Sequence, residues 1–165
     1  MKITFLGGGN MAIALIGGLI QRGVEPHNLC VIEILPEARA RLDAQFAINV
    51  YDTASAEALQ CDVLVLAVKP QQMRAALSSL PAGDKKPLIV SIAAGLLVDD
   101  LARWMVGYRR IVRAMPNTPA LIGAGMTGLY ADPTVDAADR DRAEAILGAV
   151  GETAWVASEQ LIDSV

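Results

Sequence analysis

The residues with the plainest chemical potential stand at the front of the chain. The stretch "ITFLGGGNMAIALIGGLI" (3–20) sets three glycines between four strand-forming residues and an apolar run. A turn of that composition leaves free backbone N–H groups at the start of a helix, where the partial positive charge of the helix end adds to them. Without side chains in the way, a phosphate can come down onto the backbone. Gly7-Gly8-Gly9-Asn10-Met11-Ala12 meets the spacing G-x-G-x-x-G/A: Gly7 for a sharp turn, Gly9 for close approach of a dinucleotide pyrophosphate, Ala12 for packing of helix on strand. Asn10 is a candidate cap for that helix. Glu33 ends the next apolar run about 20 residues on, where a carboxylate can hold the hydroxyls of an adenosine ribose. Its plain alternative is a solvated charge at a strand end.

Elsewhere the chain is poor in groups for covalent or metal chemistry. Cys30 and Cys61 stand alone, without Cys-x-x-Cys or Cys/His spacing, and read as packed thiols; no metal site is expected. His27, the one histidine, lies in the turn-like "EPHN" and reads as solvated. Trp104, Trp155, Met73 and Met105 read as packing residues, as does the side chain of Met11 within the glycine fingerprint.

The elements that must position these residues follow from the apolar pattern. Runs at Ile3–Leu6, 29–34, 48–51, 63–68, 88–92, 111–115, 126–130 and 153–156 read as strands, and helical patterns separate the first six. Pro36 stands early in one helix, and Gly23 and Gly151 lie just past helix ends. This alternation predicts an α/β fold, a Rossmann-type doubly wound, mainly parallel sheet of about eight strands with helices on both faces. Composition agrees, because 53% hydrophobic with only 4% aromatic residues fills a core with Ala, Val, Leu and Ile. The 165 residues suffice for one full domain and not for two.

Composition also excludes function classes. The net charge is −4 and no basic cluster exceeds two adjacent residues, so no footprint for a nucleic-acid backbone is present. The longest uncharged apolar run, 11–20, is about half of a membrane span. Strand-like sequence begins at Ile3, which leaves no room for a signal peptide, and a cytoplasmic location is expected.

Four further stretches carry a resemblance: "AVKPQ" (67–71), "SIAAG" (91–95), "RAMPNTPALIGAGMTGLYA" (113–131) and "SEQLIDSV" (158–165). In this order behind "FLGGGNMA", they resemble pyrroline-5-carboxylate reductase along the whole chain. The resemblance implies hydride transfer from a reduced nicotinamide cofactor to the C=N carbon of 1-pyrroline-5-carboxylate, giving proline. A ring imine is already electrophilic, so the protein's part is orientation, water exclusion and proton supply. No catalytic residue is singled out.

The resemblance places Ala67, Val68, Lys69 and Pro70 along the cofactor, with Pro70 holding Lys69 extended. Ala93, Ala94 and Gly95 give clearance for the ribose and nicotinamide, and Asn117 and Thr118 present hydrogen bonds to cofactor or substrate. Without the match, Lys69 reads equally as a surface lysine, and the segment 116–119 as a stiff turn with X-Pro bonds of either isomer.

Three departures from the family pattern qualify the expectation. The family continues into a helical domain that forms interlocked dimers and completes the substrate pocket, whereas this chain stops at Val165. Residues 1–157 are thus expected to form a dinucleotide-binding domain and 158–165 the start of a truncated helical one. The fragment alone is expected to be inactive, and the full-length form a homo-oligomer. Glu159 is the surviving substrate contact that the family implies, and Ser158 a cap whose helix would need an apolar partner for Leu161, Ile162 and Val165. Second, Glu33 is followed by Ile34 and Leu35 where the family favours residues that read a 2′-phosphate. NADPH is expected on family grounds and NADH remains open, with Arg39 or Arg41 as candidates to reach the phosphate. Third, Ser55 stands in part for a family Asn on the adenosine side. Two competing readings are a stand-alone dinucleotide-sensing module and the cofactor domain of a β-hydroxyacid-type dehydrogenase.

Overall fold

A computed structural model describes residues 1–165. The chain forms β1 (Ile3–Leu6), α1 (Asn10–Gln21), β2 (Leu29–Ile32), α2 (Pro36–Gln45), β3 (Asn49–Tyr51), β4 (Val63–Leu66) and α3 (Pro70–Ser78). There follow β5 (Leu88–Ser91), α4 (Val98–Trp104), β6 (Ile111–Pro116), β7 (Gly125–Ala131), α5 (Ala137–Leu147) and β8 (Gly151–Trp155). Short 3-10 turns occupy Pro26–Asn28, Thr118–Ile122, Gly148–Val150 and Glu159–Ser164.

The eight strands form one sheet in the order β3-β2-β1-β4-β5-β6-β7-β8. All neighbours are parallel except β6 and β7. Ile3 lies opposite both Leu29 and Val63, so β1, β2 and β4 end level with one another. The segments that leave β1, β2, β4, β5 and β6 therefore share one edge, the edge at which open α/β sheets bind ligands.

Alternation along the strands divides the core in two. Phe5, Val31, Val65, Val90 and Val112 face Leu15 of α1, Leu42 of α2 and Ile146 of α5. Leu6, Ile32, Leu64, Leu66 and Ile89 face Met73 and Leu77 of α3 and Leu101 of α4. The doubly wound sheet expected from the sequence is present, with helices on both faces. No helix is long and apolar enough to cross a membrane.

Several boundaries differ from the sequence reading. The expected strand 29–34 ends at Ile32, and 63–68 at Leu66. Glu33 N–H and Ala67 N–H make one more ladder bond each, to Tyr51 and Leu6, before the chain turns off the sheet. Ile34 is consequently 73% exposed. The last strand begins at Gly151 because its pairing with β7 starts there, opposite Gly125. Asn10 does not cap α1: the capping position is Gly9, whose carbonyl accepts Ile13 N–H at 3.0 Å, and Asn10 is the first helical residue.

Within 158–165 the structure has a 3-10 turn, Glu159–Ser164, rather than a Ser-capped helix, and the Ser158 side chain makes no cap. Ile162 finds its apolar partner within the chain and is fully buried, while Leu161 and Val165 stay half exposed. The turn lies against β7, where a Cβ added at Gly128 would come within 2.9 Å of Val165.

One buried ionic cluster ties α5 to the sheet. The Asp139 carboxylate, 2% exposed, accepts from Arg110 at 2.5 and 2.9 Å and from Arg142 at 2.6 Å. The Arg110 hydrogen bonds hold the Asp139 carboxyl below its ordinary value against the opposing effect of burial. An acid whose folded value is depressed adds stability above its unfolded value, about pH 4, and that stability is lost as pH falls through the folded value. Asp139→Asn should cost about 2 kcal/mol at pH 7. In urea melts the gap to the parent chain should narrow below about pH 4.

Candidate functional site

The three glycines after β1 have three different surroundings. Gly7 has φ +104°, and a Cβ there would lie 2.8 Å from the backbone carbonyl of Ala67, so the turn needs a glycine for conformation and for the close approach of the β4 end. At Gly8 a Cβ would meet Leu42 of α2 at 2.7 Å. Gly9 differs: its φ of −77° and ψ of −171° suit any residue, and a Cβ would meet nothing within 4 Å. Folding does not require a glycine at 9. The space above it lies at the N-terminus of the twelve-residue helix α1, in front of unpaired backbone N–H groups, and has the form of a phosphate cradle.

Glu33 leaves β2 beside this loop and turns towards it. Its Oε1 accepts Gly8 N–H and its Oε2 accepts Leu35 N–H, both at 3.2 Å. The carboxylate therefore braces the turn, and both of its oxygens are engaged with backbone. Arg39 on α2 lies across the same corner, its Nη1 donating to the carbonyls of Glu33 and Ile34, each at 2.9 Å. Of the two arginines considered from sequence, Arg39 is the one that reaches the end of β2.

Along the edge, Ala67 and Val68 are half-buried and Lys69 and Pro70 exposed. Lys69 is extended (φ −62°, ψ 147°) ahead of Pro70, which opens α3. Ala93 turns inward: it is 6% exposed, belongs to the core beneath α4, and its N–H bonds Ser91 Oγ at 3.3 Å. Ala94 and Gly95 form the exposed crown of that loop. Asn117 and Thr118 are exposed beyond β6, and Asn117 Oδ1 accepts Met126 N–H at 2.9 Å, so its amide N–H groups are the free part. All X-Pro bonds are trans. The Ser55 hydroxyl oxygen is taken by Ala58 N–H at 3.1 Å, which makes it the cap of its own turn.

The structure brings Gly7, Gly8, Gly9 and Glu33 together, and places Ala67, Val68, Lys69, Ala94, Gly95 and Asn117 along the same edge. Glu159 stands apart, its Oε1 shared by Val98 N–H and Arg113 Nη1. Arg113 was missed from sequence, although a lone arginine inside the apolar strand "IVRAMP" was the available signal. The two thiols take no part: burial pushes Cys30 up to about 11 and raises Cys61 as well, so both are neutral near pH 7.

Known proteins match this arrangement. Residues 2–95 match the family described as NADP oxidoreductase coenzyme F420-dependent. Over 99% of its length the chain is 44% identical to the pyrroline-5-carboxylate reductase of Pseudomonas aeruginosa, of which it spans 60%. Among solved structures, a pyrroline-5-carboxylate reductase from Coxiella burnetii superposes with a TM-score of 0.92 at 39% identity, covering 98% of this chain and 61% of that one. The Plasmodium falciparum pyrroline carboxylate reductase with NADP bound gives 0.81 at 27% identity, covering 99% and 60%. The chain thus spans about three-fifths of the length of the relatives it matches. It belongs to the NADP oxidoreductase, coenzyme F420-dependent family, and its whole-length resemblance is to the pyrroline-5-carboxylate reductases.

Proposed function

We propose that the chain is the dinucleotide-binding part of a reductase that converts 1-pyrroline-5-carboxylate to L-proline with a reduced nicotinamide cofactor. The observation that carries this reading is the space at Gly9, which the fold leaves open at the start of α1 although any residue would be tolerated there. When bound, the cofactor supplies the hydride. The chain's own residues bind and orient: N–H groups at the start of α1 hold the pyrophosphate, and Glu33 fixes the glycine turn. Ala67, Val68, Lys69, Ala94 and Gly95 line the path towards the nicotinamide, where Asn117 offers its amide N–H groups. An imine needs no protein nucleophile, and close packing by these small residues serves to align it and exclude water.

NADPH is the proposed cofactor, NADH the second choice. Support comes from the Glu33 carboxylate turned to the glycine loop and the Arg39 guanidinium held at the same corner, and from the NADP bound by the Plasmodium relative. Residues 1–157 would form the cofactor domain and 158–165 begin a helical region that would complete a substrate pocket and a homo-oligomer. A cytoplasmic setting suits the unpaired Cys30 and Cys61.

The test has two steps. The 165-residue chain is titrated with NADPH and NADH by nucleotide fluorescence, and the protein read to the end of its gene is assayed for imine-dependent oxidation of each. Binding together with turnover is the expected result. A folded chain that binds neither dinucleotide overturns the cofactor reading. Binding without turnover in the longer protein overturns the substrate and favours a dinucleotide-sensing module.

A further inference from the structure

The first turn of α4 is held by a residue sixty-one positions further along the chain. Val98 N–H, at the first position of that helix, donates to Glu159 Oε1 at 2.7 Å. The same oxygen accepts Arg113 Nη1 at 3.1 Å. The Arg113 side chain is only 3% exposed, and Glu159 is its ion-pair partner. A guanidinium so placed holds its carboxylate firmly, because separation would leave a charge buried without compensation. Glu159 is thus pinned to the middle of β6, and through it the beginning of α4 is pinned as well.

Between β5 and α4 runs the loop 92–97. Its entrance is fixed by Ser91, which lies opposite Arg113 in the sheet and whose Oγ accepts Ala93 N–H. Its exit is fixed twice, by Asp100 Oδ2 accepting Leu97 N–H at 3.1 Å and by Glu159 accepting Val98 N–H. The crown, Ala94 and Gly95, is exposed, with Gly95 at φ +76°, and Leu97 at the exit is exposed as well. That crown stands on the ligand edge beside the end of β4. Two of the three anchors therefore belong to β5 and α4 themselves, and the third comes from the last turn of the chain.

We infer that Glu159 is a positioning residue: paired with Arg113, it sets the height of the 93–95 loop against a bound dinucleotide, and so couples the turn Glu159–Ser164 to the cofactor edge. The inference rests on the dinucleotide reading above. It gives Glu159 a part that needs no contact with substrate, and it makes any displacement of the last turn felt at the nicotinamide end of the site.

The experiment compares Glu159→Ala and Glu159→Gln with the parent chain by amide exchange and by NADPH titration. Glutamine keeps a neutral oxygen for Val98 N–H, alanine keeps nothing. With alanine, exchange at 96–98 should quicken about tenfold or more and NADPH binding weaken about tenfold, while the amides of β1 and β4 keep their protection. Glutamine should restore most of both. A purely structural role would instead speed exchange throughout the sheet and lower the melting temperature without a separate loss of affinity, and that pattern overturns the inference. So does unchanged exchange at 96–98. If the alanine chain unfolds, Glu159→Asp decides, since it keeps the charge for Arg113 and shortens the reach to Val98 N–H: faster exchange at 96–98 over an intact sheet supports the coupling, and parent-like exchange overturns it. A parent chain that binds no NADPH defeats the dinucleotide reading, and the exchange data then decide separately whether Glu159 holds the loop.

Discussion

Gly9→Asp weakens NADPH binding about a hundredfold or more and leaves the melting temperature unchanged or higher. The two halves of that expectation have separate causes. Position 9 is the capping residue of α1 in extended backbone with open space around its missing Cβ, so aspartate fits without strain. Aspartate is also among the best N-caps, able to accept the N–H of Met11 or Ala12. Those same N–H groups are the ones offered to a pyrophosphate, and a carboxylate among them both occupies the donors and repels the ligand. Loss of two charge-assisted bonds at about 1.5 kcal/mol each already amounts to a hundredfold. Gly7→Ala provides the contrast. With φ at +104° and the Ala67 carbonyl 2.8 Å away, it should lose stability together with binding. Thermal melts and fluorescence titrations of the two variants distinguish a glycine kept for a ligand from one kept for the turn. Normal NADPH binding by Gly9→Asp would remove the cradle from the site.

Arg39→Gln lowers the preference for NADPH over NADH by about tenfold or more, with NADH affinity within about twofold of the parent. The residue pattern at the end of β2, taken without the family expectation of NADPH, favours NADH, because a carboxylate there repels a 2′-phosphate. The geometry alters that balance. Both Glu33 oxygens face backbone N–H groups of Gly8 and Leu35, which draws the charge inward to the glycine turn. Arg39 anchors only Nη1, on the carbonyls of Glu33 and Ile34, and its Nε–H and Nη2 groups make no bond within the chain. A guanidinium already oriented at the corner loses little freedom in meeting a phosphate. Affinities of parent and variant for both dinucleotides give the ratio directly. An unchanged ratio would return control of the choice to Glu33.

The fold was legible wherever local pattern decides the outcome. Short apolar runs separated by helical periods, with Pro36 and Pro70 at helix starts, specify a doubly wound sheet before any contact is known. The reversal of β7 also had a local sign, since residues 117–124 are too few for the dozen or more that a parallel crossover needs. What remained hidden depends on contacts between distant segments. The glycine run announced a phosphate loop, yet only the neighbours Ala67 and Leu42 reveal that the fold crowds Gly7 and Gly8 and leaves Gly9 open. The inward turn of Ala93 and the direction of the Glu33 carboxylate follow from packing against α4 and the glycine turn. Arg113 and Glu159 meet across forty-six residues, a separation for which no spacing rule exists.

The central place of β1 bears on how the chain comes together during synthesis. Its first partner, β2, follows soon after it, but its other side waits for β4, beyond residues 7–62. Until then a nascent chain carries a strand destined for full burial, apolar but for Thr4, with one row of hydrogen-bonding groups bare, the state most open to pairing with a neighbouring chain. Each later strand from β5 to β8 is added in order at the growing side, so the exposed border moves outward one strand at a time. The border ends on β8, whose Glu152 adds a charge that discourages further strands, so the finished sheet is guarded on that side by its own last edge.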